Sequence, residues 1–93
     1  MVIKSVRREA AGKPQVVVDV AAGSAHDVVL FAEGPEPEWA LPIPAPIAGA
    51  PEGIHRFSFA LDGLPPGASA DGATLTLTAV AGERAIEVKA RLD

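Results

Sequence analysis

Glycine and proline interrupt this chain so often that no long helix fits anywhere in it. Each occurs nine times in 93 residues, and no stretch of eleven residues keeps apolar side chains at i, i+3, i+4 and i+7 without meeting one of them. Because glycine weakens a helix and proline breaks it, no helix longer than one turn is predicted. The apolar residues instead recur at every second position, the period of a β-strand with one buried face.

Three segments in the second half show this alternation most clearly. Residues 55–61 place two phenylalanines and a leucine on one face, and residues 74–80 place leucine and alanine opposite three threonines. Residues 85–91 alternate apolar side chains with charged ones. The short connection that contains Gly82 suits a hairpin turn, so the last two segments are predicted to pair antiparallel with one solvated face.

Three further strands are predicted upstream. Residues 15–21 are β-branched and alternate, whereas residues 27–33 form a compact apolar run, typical of a strand at the centre of a sheet or covered on both sides. Residues 2–9 form a weaker first strand, in which Ile3 and Val6 break the alternation. This break indicates a bulge or an edge position.

Six of the nine prolines lie between residues 35 and 51. Proline lacks the N–H that a central strand donates, so this stretch is predicted to be edge strand, polyproline II or loop. Within it, residues 40–43 are predicted to form a short edge strand. Its apolar side, which carries Trp39, Leu41 and Ile43, is expected to pack onto the domain.

Seven strands in about ninety residues, with turn signals every eight to twelve, predict an all-β fold. The interpretation is one domain over residues 1–93, an immunoglobulin-like antiparallel β-sandwich of about seven strands, and we expect it to be excised from a larger protein. A small closed or partly open β-barrel is the alternative.

Composition excludes several classes of function. Eight basic and twelve acidic residues give a net charge of -4, and residues 14–53 contain no lysine or arginine, so nucleic acid is not a predicted partner. No cysteine is present to supply a disulfide, a thiolate nucleophile or a sulfur ligand for zinc. Prolines interrupt the longest weakly charged run, so direct membrane insertion is not predicted either.

No catalytic, cofactor-binding or metal-binding residue is predicted. Ser24, His26 and Asp27 lie too close along an extended chain to orient one another as a triad, so a small hydrolase is disfavoured. His26 and His55 could join a metal site with carboxylates only if folding brought them together, and His55 is expected to be a partly buried packing residue. The threonine row of residues 74–78 and the glutamates of residues 33–38 are interpreted as solvated surface.

Trp39 is the best candidate for contact with a partner. Tryptophan is a frequent anchor of protein interfaces, and segments stiffened by proline lose little entropy on docking. The competing interpretation is that Trp39 caps the core of its own domain. The predicted partner-contact residues are Trp39, Leu41 and Ile43.

Three stretches of the chain together resemble a known family. They read LFAEGP at 30–35 with WALPIP at 39–44, RFSFALDGLPPG at 56–67, and TLTLTAV at 74–80 with AIE at 85–87. They resemble the periplasmic, immunoglobulin-like portion of bacterial DsbD/ScsB-type thiol:disulfide interchange proteins, in particular the segment before the membrane part in alphaproteobacterial members. The likeness covers roughly residues 28–88.

The resemblance implies a periplasmic β-sandwich attached to a membrane electron-conducting domain that passes reducing equivalents to partner proteins. That chemistry needs a cysteine pair, and this chain has none, so no catalytic residue carries over. The expected function is a non-catalytic domain that scaffolds or docks protein partners, or neighbouring domains of the same chain, in a protein-disulfide reductase system. The alternative is an extracytoplasmic immunoglobulin-like module that binds protein or carbohydrate.

Overall fold

The structure, a computed structural model, describes residues 1–10 and 12–93, and every regular element in that part of the chain is a β-strand. None of these residues forms a helix, so none provides a helical membrane span. The seven strands are β1 (Val2–Glu9), β2 (Gln15–Ala21), β3 (Val29–Glu33), β4 (Ala45–Ile47), β5 (Ile54–Ala60), β6 (Thr74–Ala81) and β7 (Arg84–Arg91).

The strands form two antiparallel sheets. The four-stranded sheet has the order β1-β2-β5-β4, and the three-stranded sheet has the order β3-β6-β7. This is the strand arrangement of a constant-type immunoglobulin domain. Within the described residues no strand pairing joins the two sheets, so the predicted sandwich is confirmed and the barrel alternative is wrong.

The core lies between the sheets and is built from alternate residues of β2, β5 and β6, together with Leu30 of the edge strand β3. Because successive side chains of a strand point to opposite faces, each inner strand contributes every second residue. All of these side chains are almost completely shielded from solvent: Val16, Val18, Val20, Leu30, Phe57, Phe59, Leu75, Leu77 and Ala79. The alternation read from the sequence is therefore confirmed for β2, β5 and β6. In β7, Ile86 and Ala90 pack against the core as predicted, whereas Val88, on the same predicted face, is 38% exposed. The ends of these four strands are displaced by at most one residue.

The bulge in β1 and the turn between β6 and β7, both predicted from the sequence, are also present. The register of β1 shifts between Ile3 and Ser5, which confirms a bulge. After this shift Val6 lies opposite the inward-facing Val18, which explains why the strand departs from strict alternation. The β6–β7 turn has two residues, and Gly82 takes a φ of 62° there. A glycine with positive φ at the first central position is the type II′ hairpin turn.

The prediction for residues 27–33 is partly wrong. Asp27 has a φ of 56°, a left-handed conformation that does not continue a strand, and β3 begins at Val29. The strand lies at the edge of the three-stranded sheet rather than at its centre. It is not covered on both sides either, because Val29 and Phe31 are 45% and 47% exposed.

The predicted edge strand at residues 40–43 is also wrong, because the edge strand lies at Ala45–Ile47. The connection from β3 to β4 must cross from one sheet to the other, and the chain reaches the free edge of β5 only at Ala45. Trp39 and Leu41 pack against the core during this crossing, as expected, whereas Ile43 is 76% exposed.

The core packing predicts that replacing valine by alanine lowers the free energy of unfolding much more at one position than at another. Val18→Ala removes apolar carbons from a fully buried site and should lower the free energy of unfolding by about 2–3 kcal/mol. Val88→Ala, at a 38% exposed position, should cost less than about 1 kcal/mol. Urea denaturation followed by circular dichroism measures both, and equal losses would contradict this account of the core.

Candidate functional site

Trp39 lies at one end of the sandwich, where the connection after β3 turns towards the other sheet. Its side chain is half-buried and packs against the core. Its backbone N–H donates a hydrogen bond to the carbonyl of Glu36, with N···O 3.1 Å. The next residue, Ala40, donates to the carbonyl of Gly63 at 2.9 Å, which ties the connection to the loop after β5. Hydrogen bonds from Trp39 and from the residue after it therefore fix the backbone at this position.

Gly34 is required by the position of the tryptophan. A Cβ atom at Gly34 would overlap with Cβ and Cγ of Trp39, at separations that real side chains do not reach. These atoms form the root of the tryptophan side chain, which cannot rotate away without moving the backbone. The chain therefore needs a glycine at position 34 for steric reasons, to bring the indole against the end of β3.

A cleft surrounds the tryptophan. It consists of two adjoining cavities, of about 350 and 420 Å³, which share Pro35, Glu36 and Trp39. We call this feature the Trp39 cleft. The first cavity is completed by Ala32, Glu33, Gly34 and Pro37. The second is completed by residues 65–69, which include Pro65, Pro66 and Gly67, and by Ala73.

The lining of the Trp39 cleft suits binding rather than catalysis. Proline rings and an indole make its walls rigid, and at least half of the exposed lining is polar. The only ionisable groups among the lining residues are the carboxylates of Glu33 and Glu36. Such a cleft can accept an apolar group, or a cation placed against the indole. It offers no nucleophile with a base positioned to activate it.

The structure separates the three predicted contact residues. Trp39 lines the cleft, whereas Leu41 is half-buried against the core and Ile43 is exposed outside the cleft. The strand alternation that grouped them does not hold, since residues 40–43 are not a strand. Sequence reasoning missed the opposite wall at residues 65–69.

The residues considered for catalysis or metal binding lie outside the Trp39 cleft. Ser24, His26 and Asp27 are all exposed in the β2–β3 connection. His55 is half-buried, as expected, and its Nε2 lies 3.1 Å from the carbonyl oxygen of Ala25. His26, His55 and Glu52 line one shallow surface depression. Within the described part of the chain, however, no three such side chains are grouped closely enough to hold a metal ion.

An ion-pair network covers the outer face of the four-stranded sheet. Asp19 is only 8% exposed, and its two carboxylate oxygens accept hydrogen bonds from Nε and Nη2 of Arg56 at 2.7 and 3.1 Å. Nη1 of Arg7 lies 3.5 Å from the same carboxylate. The bound Arg56 guanidinium holds the pKa of Asp19 below its usual value, against the opposing effect of burial, and Arg7 adds to the lowering.

Comparison with known proteins gives no relative for this chain. No family model, no curated protein and no solved structure matches it.

The ion pair predicts a pH-dependent contribution to stability. Because the folded-state pKa of Asp19 lies below the reference value of 3.8, its carboxylate stabilises the fold above that pH and loses this effect as the pH falls. Asp19→Asn should therefore be less stable than the parent at neutral pH, and the difference should shrink in acid. Chemical denaturation at several pH values measures it. Val88→Ala removes no ionisable group and is the control, whose difference in stability from the parent should not shrink in acid.

The contact at Gly34 predicts a specific response of the tryptophan. Gly34→Ala should cost about 1–3 kcal/mol through overpacking and should shift the emission of Trp39, the only tryptophan, to longer wavelength. Gly49→Ala introduces a Cβ into open space at a φ of 97°, so it should cost about 1–2 kcal/mol in backbone strain alone. Its tryptophan emission should stay unchanged. The same emission in both variants would contradict the proposed contact.

Proposed function

We propose that this chain is a non-catalytic domain that docks protein partners in a periplasmic thiol:disulfide interchange system, with the Trp39 cleft as its contact surface. One observation carries the proposal. Two of the stretches that resemble the DsbD/ScsB-type proteins, residues 30–44 and 56–67, are distant in sequence but supply opposite walls of this cleft. The proposal rests on the meeting of these two stretches at one cleft.

The chemistry of the cleft supports docking. Its walls are preformed by prolines, so a partner that binds there need not order a flexible loop, and the entropic cost of binding is small. The half-buried indole offers both an apolar face and an N–H donor, the combination that makes tryptophan a frequent interface anchor. Since the chain contains no cysteine, electron transfer itself belongs to other thiols of the system.

The alternative proposal is an extracytoplasmic immunoglobulin-like module that binds carbohydrate or an unrelated protein. The observation that favours it is the same half-exposed indole in an open cleft with two carboxylates, because aromatic faces and carboxylates also suit sugar rings. The two proposals differ in what should bind: a redox-active domain with a cysteine pair for the first, and an oligosaccharide or an unrelated protein for the second.

A titration by NMR tests the leading proposal. The isotope-labelled domain is mixed with the redox-active, cysteine-containing domain of a DsbD/ScsB-type protein, and we expect shifts of the Trp39 indole N–H and of backbone amides in residues 34–37 and 65–69. Trp39→Leu should weaken the association about 30-fold, as expected for a loss of about 2 kcal/mol at an anchor. Ile43→Ala, outside the cleft, is the matched control and should leave the affinity unchanged.

The stability of both variants is measured first, so that weakened binding is compared only between folded proteins. Pro66→Ala gives a second, milder change in the opposite wall and should weaken association without moving Trp39. Shifts confined to other faces of the sandwich would contradict the proposed contact surface, and oligosaccharide binding at the cleft would favour the alternative. Cell fractionation of the natural protein with periplasmic markers tests the proposed location.

A further inference from the structure

Four strands lie at the edges of the two sheets, and three of them carry features that hinder pairing with another chain. β1 contains the bulge at Ile3–Ser5 and several charged residues, and β4 has only three residues, one of which is Pro46. β7 alternates charged side chains along its length. Bulges, short proline-containing strands and charges are the usual protection of a sheet edge.

β3 lacks this protection. Its residues 29–32 are uncharged and its one charged residue, Glu33, is the last of the strand. One side of β3 pairs with β6. On its other side, no backbone hydrogen bond joins it to another of the described residues. The backbone groups on that side are therefore available to an added strand.

The surroundings of this free edge favour an alternating segment. Val29 and Phe31 lie on the outer face of the sheet, opposite Val80 and Thr78, and are about half exposed. Alternate side chains of an added strand would lie beside them on that face. The side chains in between would point to the inner side, where β3 ends at the first cavity of the Trp39 cleft.

This cavity lies where β3 ends, and its lining is negatively charged. It is formed by the last two residues of β3, Ala32 and Glu33, and by the connection that follows them up to Trp39, so a strand added along β3 would run towards it. Two carboxylates line it, and residues 14–53 contain six acidic residues but no lysine or arginine. An indole face beside carboxylates matches a guanidinium or ammonium group, which both cation–π attraction and charge favour.

We propose that the free edge of β3 binds an extended segment of a protein partner, which adds as a further strand and places an arginine or lysine in the first cavity of the Trp39 cleft. Main-chain hydrogen bonds to β3 supply affinity, and the cavity selects the basic side chain. The inference rests on the proposed docking function and specifies the chemistry of the docked segment.

The probe is a capped synthetic peptide of alternating threonine and valine, with one arginine in place of the central threonine. We expect it to shift the amide resonances of Val29–Glu33 and to change the emission of Trp39. A peptide with glutamate at the central position should bind more weakly. The arginine peptide methylated on the amide nitrogens that face β3 should not bind, because it cannot donate the ladder hydrogen bonds.

Protein variants test the role of charge. Glu36→Gln should weaken binding of the arginine peptide by about two- to fivefold, the range expected for one exposed ion pair. It should not weaken binding of the glutamate peptide. Glu87→Gln removes an equal charge from β7 and should leave binding unchanged. Both positions are exposed, so neither variant is expected to disturb the fold.

Several outcomes would overturn this inference: no binding of the arginine peptide, binding that survives N-methylation, or shifts located on β1 or β7. Concentration-dependent shifts of β3 without peptide would also overturn it, because a second copy of the chain would then be the occupant. If the peptide fails to bind while the redox-active, cysteine-containing domain still shifts the Trp39 indole resonance, the proposed docking function stands and only the strand-addition mode is wrong.

Discussion

Apolar packing between the two sheets is the interaction on which the rest of the structure depends. Antibody-type sandwiches add a disulfide between the second and sixth strands, but this chain has no cysteine. Val18 in β2 and Leu77 in β6 are instead fully buried in one continuous core. The close fit of these side chains fixes the distance between the sheets, and with it the separation of the loops that form the walls of the Trp39 cleft.

The sequence was most informative where local pattern decides the structure. Strands β5, β6 and β7 and the turn at Gly82 could be predicted because alternation and turn chemistry are properties of neighbouring residues. The place of β3 at a sheet edge could not, because the order of strands in a sheet is set by pairings with distant segments. For the same reason the compact apolar run at residues 27–33 was predicted to lie at the centre of a sheet or to be covered on both sides.

The candidate site was predictable only in part. Trp39 stood out as a large aromatic residue between prolines, but its neighbours across the cleft belong to a loop that follows a different strand. The shielding of Asp19 was missed in the same way, because alternation places it on the solvent side of β2. It is covered there by Arg56, 37 positions further along the chain. Sequence patterns identify the residue types of a site, whereas folding determines which of them meet.

The pairing of β2 with β5 has a consequence for how the domain folds. β1 with β2, and β6 with β7, are hairpins that can close locally, whereas β2 and β5 meet only after the intervening β3, β4 and their proline-rich connection have been brought into place. Closing such long loops costs entropy before the core repays it. We therefore expect the folding rate of this domain to be limited by topology, on the slow timescale of about milliseconds to seconds that is typical of β-sandwiches.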